Sequence, residues 1–305
     1  MRKCFRFRYM SVALLAAVLG ITFAACNKDA EFDKGYYLYR NGDLNPTDSI
    51  NGFFICWNKG VTPEQKEVVR GLVANMVKVE GGTFNMGAQS TNPNGFNYDS
   101  LAQSSESPVH SVTLSDYYID RYEITQKEWA TLMGAGEWNY NAADNGQIPA
   151  YSISYWEARE FVNKLNALSN IQFDLPTEAQ WEFAARGGNN SQGFMYSGSN
   201  NADEVAWTKN NADAKVHAVG EKLPNELGLY DMSGGVWEWC RDEYLSYVED
   251  ASTDPCTDAW YHAVLRGGGW SYLPAYSRVA ARDHYDIGTQ SFANGFRLTI
   301  KNWNL

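Results

Sequence analysis

The stretch that decides the fold covers residues 175–188 and reads Leu175-Pro176-Thr177-Glu178-Ala179-Gln180-Trp181-Glu182-Phe183-Ala184-Ala185-Arg186-Gly187-Gly188. Thr177 and Gln180 have the spacing of a helix-capping box, in which a hydroxyl accepts from the third helical amide and the third side chain reaches back. The sequence therefore predicts a helix that starts after the threonine, buries Trp181 with Phe183 or Ala184, and stops at the paired glycines.

Two similar boxes nearer the N-terminus predict two more helices. The box from Thr125 to Glu128 begins a helix that buries Trp129 and ends at Gly134, because glycine readily takes the left-handed conformation of a C-terminal cap. The box from Ser154 to Glu157 begins a helix that runs to about residue 168. Its predicted buried face comprises Trp156, Phe161, Leu165 and Leu168.

Short strand-like segments lie between and after these helices, at residues 76–79, 112–114 and 296–300. Long loops rich in Asn, Gly, Ser and Asp join them, and loops of this length usually form a binding surface or are disordered. The tryptophans scattered through these loops indicate that they are ordered and packed. The sequence therefore predicts an α+β domain with modest regular structure.

Eight motifs follow one another in order from Met76 onward: Val79–Gly87, Pro108–His110, Tyr122–Thr125, Leu175–Gly188, Pro224–Met232, Val236–Trp239, Arg266–Gly268 and Gly295–Leu298. In this order and with these gaps they resemble the sulfatase-modifying factor family, which includes the formylglycine-generating enzymes. The resemblance implies a variant of the C-type-lectin-like fold, with short strands, a few helices and long ordered loops.

Most of these motif residues also have a structural interpretation. The paired glycines permit positive φ or close backbone approach, and the tryptophans fill the core with one donor each. The arginines are predicted to bind loop carbonyls or buried acids, since the guanidinium fork suits both partners. The residues concerned are Trp181, Trp237, Trp239, Arg186, Arg266, Arg282 and Arg297.

Enzymes of the resembled family share two active-site cysteines shortly after the Arg-Gly-Gly motif, and these bind copper as thiolates. The corresponding stretch here, residues 269–282, contains no cysteine, and the hydroxyls of Ser271 and Ser277 cannot replace thiolates. The iron-dependent sulfoxide synthases of the family need a histidine triad, whereas the four histidines here are isolated: His110, His217, His262 and His284. No catalytic residue and no copper are therefore expected, and a formylglycine-generating oxidoreductase acting on a sulfatase cysteine is the alternative.

The resemblance further implies structural calcium. The first site would combine the Glu238 carboxylate with backbone oxygens of Gly234 and Val236, since calcium prefers hard oxygen ligands. Gly235 stands where the family has an asparagine, so one side-chain oxygen is missing. A second candidate calcium site comprises Asn201, Asp203 and Val205.

The N-terminus predicts export and lipid anchoring. Four basic residues precede the apolar run Val12–Ala25, which is too short to span a bilayer, so residues 1–25 are predicted to be a signal peptide. Thr22–Cys26 resembles a bacterial lipobox, with Cys26 as the lipidated residue. The following Asn27–Glu31 resembles an export signal to the outer face, or is simply a solvated tether. The predicted location is the outer membrane, at the cell surface.

The predicted domains after the signal peptide are a tether at 26–75, including a short helix that Thr62 and Pro63 open, and the main domain at 76–305. The chain has 36 acidic and 25 basic residues, which disfavours nucleic acid and anionic lipid as partners. Membrane contact is expected through the lipid anchor only.

Cys240 and Cys256 are predicted to form a disulfide, because the envelope permits disulfides. This pairing leaves Cys56 without a predicted cysteine partner.

The segment 271–294 is predicted to be a ligand-binding loop, because it mixes aromatic anchors with small polar residues. It resembles the variable region of diversity-generating retroelement target proteins, in which Lys, Glu, Met, Trp and Gln cannot arise; only Gln290 belongs to that set. The expected partner is an unknown protein or carbohydrate. The candidate contact residues are Ser271, Tyr272, Tyr276, Asp283, His284, Tyr285, Asp286, Phe292 and Asn294.

Overall fold

The computed structural model describes residues 49–134, 136 and 146–301, so the predicted signal peptide, Cys26 and the tether up to residue 48 lie outside the described residues. The helices are α1 Pro63–Asn75, α2 Gln126–Met133, α3 Tyr155–Asn166, α4 Glu178–Ala185 and α5 Ala202–Val205. The strands are β1 Ser49–Ile50, β2 Phe53–Phe54, β3 Met76–Val79, β4 Gly82–Met86, β5 His110–Leu114, β6 Tyr117–Asp120, β7 Phe173–Asp174, β8 Trp237–Glu243, β9 Ser252–Thr253, β10 His262–Arg266, β11 Arg282–Asp286, β12 Asn294–Gly295 and β13 Thr299–Lys301.

The strands form small sheets with the orders β11-β10-β8-β12, β3-β6-β13-β7, β4-β5-β9 and β1-β2. Pairing is antiparallel except between β12 and β8 and between β5 and β9. The predicted strand at 296–300 is confirmed only at its end, because residues 299–301 form β13 and residues 296–298 connect it to β12. The result is a mixed arrangement of short strands and few helices, which confirms the predicted α+β class.

The predicted helix starts are confirmed. Thr62, Thr125, Ser154 and Thr177 each cap a helix in a reciprocal box with the side chain three residues later. Helix α2 ends at Gly134 with φ of 88°, a conformation that costs glycine little. These signals lie within one helical turn, so they act wherever the rest of the chain packs.

The predicted buried face of α3 is wrong at its first residue. The helix ends at Asn166, and its buried side chains are Tyr155, Ala158, Phe161, Val162 and Leu165. Trp156 instead leaves 57% of its surface exposed. A stripe spaced by three and four residues can start at Tyr155 or at Trp156, and packing against the core selects the former.

Helix α1 packs in the larger hydrophobic core. Its Val69, Leu72 and Val73 are buried together with Ile55 and Trp57, which precede the helix. The same cluster continues through α3 and the central strands. The folded unit therefore contains α1 as well as the residues after Met76.

The predicted disulfide between Cys240 and Cys256 is wrong, because both cysteines are free. Cys240 lies in β8 and belongs to the second core cluster, which comprises residues of α4 and β5 among others, whereas Cys256 is exposed. Burial raises the pKa of the Cys240 thiol well above its usual range, so it remains protonated. Cys56 is not a free thiol.

Candidate ligand-binding surface

Buried arginine–carboxylate pairs hold the scaffold beneath the C-terminal segment. Arg297 donates from Nε to Glu238 Oε2 at 2.7 Å and from Nη2 to Oε1 at 2.6 Å. Trp181 Nε1 also donates to Glu238 Oε2 at 2.7 Å. All three side chains are fully buried. Because both oxygens of Glu238 face bonded N–H donors, this carboxylate does not fit the calcium site that the family resemblance implied.

A second group of pairs surrounds helix α4. Arg282 donates to both oxygens of Glu178, at 2.8 and 2.7 Å. Arg266 pairs with Glu182 and donates to the carbonyls of residues 279–281. Arg186 donates to Glu182 Oε1 at 2.8 Å. The predicted pairing of these arginines with buried acids and loop carbonyls is confirmed, and charge-assisted pairs of this geometry fix orientation as well as adding energy.

Arg278 makes a further arginine–carboxylate pair, which sequence reasoning missed. Its Nη1 donates to Asp99 at 2.7 Å, and its two terminal nitrogens donate to both oxygens of Glu106 at 2.9 and 2.6 Å. Arg278 and Glu106 are both buried. A single arginine among small residues was the available signal. The pair ties the C-terminal segment to the loop at 99–106.

The segment 271–294 is not one loop. Residues Pro274–Ser277 form a 3-10 helix, Ser277–Arg282 is buried, and β11 pairs with β10 along its whole length. Asp283, His284, Tyr285 and Asp286 therefore lie on a strand. Asn294 is fully buried in β12, so it cannot reach a ligand in this conformation. The predicted loop is stiffer than its composition indicated, because its partners are distant in sequence.

The structure packs two of the remaining candidate residues, Tyr272 and Tyr276, against each other. Tyr272, partly buried, packs edge-on against Trp237 at 5.6 Å and Tyr276 at 5.8 Å between ring centroids. Burial and a hydrogen bond with Tyr285 raise the pKa of the Tyr272 hydroxyl. Tyr276 is exposed, Phe292 is exposed and packs edge-on against Trp270 at 5.8 Å between ring centroids, and Ser271 is partly buried. We call the exposed side chains Leu273, Tyr276 and Phe292 the C-terminal patch.

The strand residues form a separate row of rings. His284 stacks on Tyr244 at 4.1 Å and meets His262 edge-on at 4.9 Å. Asp286 Oδ1 lies 2.8 Å from His262 Nε2. Asp283 and Tyr285 flank His284 on β11 and are half-buried. These contacts fix the ring positions before any ligand arrives.

The second calcium candidate consists of residues that already have local roles. Asn201 caps α5 by accepting from the Asp203 amide at 3.2 Å, and Asp203 Oδ1 accepts from Asn211 at 3.0 Å. Val205 is buried in a small core cluster. Within residues 49–134, 136 and 146–301, no group of three or more His, Cys, Asp or Glu side chains is arranged to hold a metal ion.

Asp231 is a buried acid for which the cost of burial outweighs the attraction of the Arg297 guanidinium. Its backbone φ is 58°, and its Oδ2 accepts from the Gly220 amide at 2.7 Å. Burial, the largest cause, raises its pKa from 3.8 to about 6. An acid with a raised folded-state pKa contributes stability that is present below its unfolded pKa and is lost as pH rises through the folded one.

Asp231→Asn should therefore gain stability relative to the unmodified protein as pH rises from about 4 to about 7, by roughly 3 kcal/mol at most. Asparagine tolerates the positive φ and keeps an acceptor for Gly220. Urea unfolding of both proteins at the two pH values measures the change. An equal difference between the proteins at both pH values would contradict the assignment.

The part of the chain that the structure describes contains no helix of sufficient length and apolarity to cross a membrane.

The sequence matches a known protein family and several characterised proteins. The family model "Sulfatase-modifying factor enzyme 1-like domain" matches residues 61–302. The chain is similar to "Chaperone protein LppX" of Paenibacillus barcinonensis, with 31% identity covering 64% of this chain and 78% of that protein. It is also similar to the formylglycine-generating enzyme of Thermomonospora curvata, with 27% identity covering 76% and 94%. It spans only 45% of the serine/threonine-protein kinase Pkn1 of Chlamydia trachomatis, with 25% identity.

Solved structures show the same fold. "Treponema denticola variable protein 1" matches with a TM-score of 0.63 and 27% identity, covering 74% of this chain and 95% of that one. PvdO from Pseudomonas aeruginosa matches with a TM-score of 0.59 and 24% identity, covering 74% and 94%. The arrangement of short strands and few helices thus belongs to a known architecture. The chain is a member of the sulfatase-modifying factor family.

Proposed function

We propose that this protein is a lipid-anchored binding protein of the outer cell surface, whose ligand contacts the C-terminal patch, and that it does not oxidise a substrate cysteine. The proposal rests on one observation: the region that holds the cysteine pair in the enzymes holds exposed apolar side chains in this chain. Where the copper-binding enzymes of the family have two cysteines, residues 269–282 have none. Exposed aromatic and aliphatic side chains lie in and just beyond this segment, at Leu273, Tyr276 and Phe292.

The way the patch is held supports binding. Arg278 anchors the 3-10 helix from below through Glu106, and Arg266 holds the carbonyls of residues 279–281. A rigid base beneath exposed aromatic side chains lowers the entropy lost when a ligand binds. The name "variable protein" of the similar Treponema structure, and the chaperone name of the Paenibacillus relative, both fit the class of proteins that bind other molecules.

The lipid anchor and the surface location rest on the N-terminal sequence. Cys26 follows a basic and apolar leader with a lipobox-like end. A chain held by a single lipidated residue would present the folded unit away from the membrane, with the intervening residues as spacer. Metabolic labelling with a palmitate analogue, with Cys26→Ser as the control that loses the label, tests the anchor.

The binding proposal is tested by comparing retained molecules on immobilised full-length protein. Phe292→Ala combined with Tyr276→Ala should lose species that the unmodified protein retains from envelope extract. Phe54→Ala should retain them, because Phe54 is as exposed as Phe292 but lies on the β1–β2 hairpin. Identical retained sets for all three proteins would contradict the proposal.

The enzymatic alternative needs its own assay, since the chain shares its family with the Thermomonospora formylglycine-generating enzyme. Copper-supplied protein incubated with a Cys-x-Pro-x-Arg peptide should give no formylglycine. Detection of that product by mass spectrometry would overturn the binding-only proposal.

Diversification of the segment 271–294 is tested separately. The test examines the codon usage of this segment in the gene and looks for a reverse transcriptase gene nearby.

A further inference from the structure

An open groove lies beside helix α3, away from the residues of the C-terminal patch. Its volume is about 480 Å³, within the range of small-molecule sites. One wall is the helix face formed by Trp156, Arg159, Glu160 and Asn163, and the other is Asp258 with Ala259. The helix residues have the spacing of one stripe, three or four positions apart, so they point to the same side.

Trp156 is the main apolar surface of this groove. Trp181, Trp237 and Trp239 are buried, whereas Trp156 is 57% exposed, and Trp260, which follows the groove residue Ala259, is 70% exposed. Its neighbourhood is also aromatic: the Trp156 amide donates to the Ile287 carbonyl at 3.2 Å, and the Ile287 amide donates to the Tyr261 carbonyl at 3.0 Å. Trp156 and the exposed Tyr261 therefore flank the same residue.

The polar groups of the groove are held in place by ion pairs. Arg159 pairs with Asp174, Asp258 pairs with Arg241, and Glu160 lies 3.1 Å from Lys164. These three acids and three bases balance one another, although the chain as a whole carries a net charge of −11. The groove thus offers fixed hydrogen-bond donors and acceptors without a net charge, and it favours a neutral polar ligand over an ionic one.

We propose that this groove binds a neutral carbohydrate, with one pyranose ring stacked on the exposed indole face of Trp156. A pyranose has an apolar C–H face and a rim of hydroxyl groups that both donate and accept. The C–H face matches the indole, and the hydroxyls match the Asn163 amide and the carboxylates of Glu160 and Asp258. This inference rests on the proposed binding function and names a ligand class for a second site, whose lining shares no residue with the C-terminal patch.

A purely apolar peptide fits less well. Besides Trp156, the apolar lining consists of Tyr155, which is buried, and Ala259, which is small. A peptide anchor would leave the charged and amide groups of the groove without hydrogen-bond partners, which costs binding free energy. Sugar hydroxyls can satisfy these groups from several directions at once.

The test is titration calorimetry of the full chain in detergent with four neutral probes: cellohexaose, mannohexaose, xylohexaose and maltoheptaose. At least one should bind, and Trp156→Ala should weaken its binding about tenfold or more. Trp156→Tyr, which keeps an aromatic face, should lose less. Phe96→Ala, an exposed aromatic outside the groove, should bind as the unmodified protein does.

Two results would overturn the inference: no binding of any probe to the unmodified protein, or equal affinity for Trp156→Ala. Thermal unfolding of each variant shows whether it is folded, and Asn163→Ala provides a second groove variant that leaves the indole in place. Failure here is distinguishable from failure of the binding proposal, because the envelope-extract comparison depends on Tyr276 and Phe292 and not on Trp156.

Discussion

Glu238→Gln is expected to lower the free energy of unfolding by about 3–5 kcal/mol, because it leaves the Arg297 guanidinium charged and buried without its counter-ion. Three carbonyls still accept from Arg297, but they carry no full charge. The Trp181 indole N–H also loses a charged acceptor. Urea unfolding followed by tryptophan fluorescence measures the loss.

The matched control for this prediction is Glu160→Gln on the surface of α3. Glu160 lies 3.1 Å from Lys164 one turn later, and both side chains are about half exposed, so the loss should be below about 1 kcal/mol. The double variant Glu238→Gln with Arg297→Met should recover part of the stability, since it removes the unpaired charge. A loss below about 1 kcal/mol for Glu238→Gln would show that the pair does not hold the core.

Arg278→Met is expected to cost a similar amount, about 3–5 kcal/mol, because it leaves the buried Glu106 carboxylate and its neighbour Asp99 without a cation. It should also loosen the residues above it. Hydrogen exchange of residues 271–277 should become faster than in the unmodified protein, and ligand retention by the C-terminal patch should fall.

Lys127→Met is the control for Arg278→Met. Lys127 lies 3.5 Å from Glu67 in an exposed pair between α2 and α1, so its loss should change stability by less than about 1 kcal/mol and leave exchange at 271–277 unchanged. If Arg278→Met destabilised the protein without faster exchange in that segment, the arginine would support the core and not the binding surface.

Both large effects come from buried arginine–carboxylate pairs, of which the Arg297 pair involves a family motif and the Arg278 pair does not. Sequence reasoning predicted that Arg266, Arg282 and Arg297 would pair with acids, because a buried guanidinium requires acceptors. It could not name the acids, since Glu178, Glu182 and Glu238 lie about 60 to 105 positions away along the chain. The assignment of Glu238 to calcium had the same weakness: the motif showed a carboxylate and not its partners.

The sequence predicted the candidate site only in part, as it did the arginine pairs. Composition alone predicted a binding surface at 271–294, and the structure shows that Tyr276 and Phe292 within it are exposed. The other candidate residues do not lie in a flexible loop, because residues 283–286 pair with β10 and Asn294 is buried. Trp156 was assigned to the core because α3 could start its apolar stripe at either of two adjacent residues.

The sequence by itself determined the family and the starts of the helices, because ordered motifs and capping boxes depend on residues within a few positions of one another. Only the tertiary structure decided which aromatic side chains face solvent, that Cys240 and Cys256 stay apart, and that both Glu238 oxygens are occupied. These outcomes depend on contacts between residues far apart in the chain, and burial and pairing are set where such segments meet.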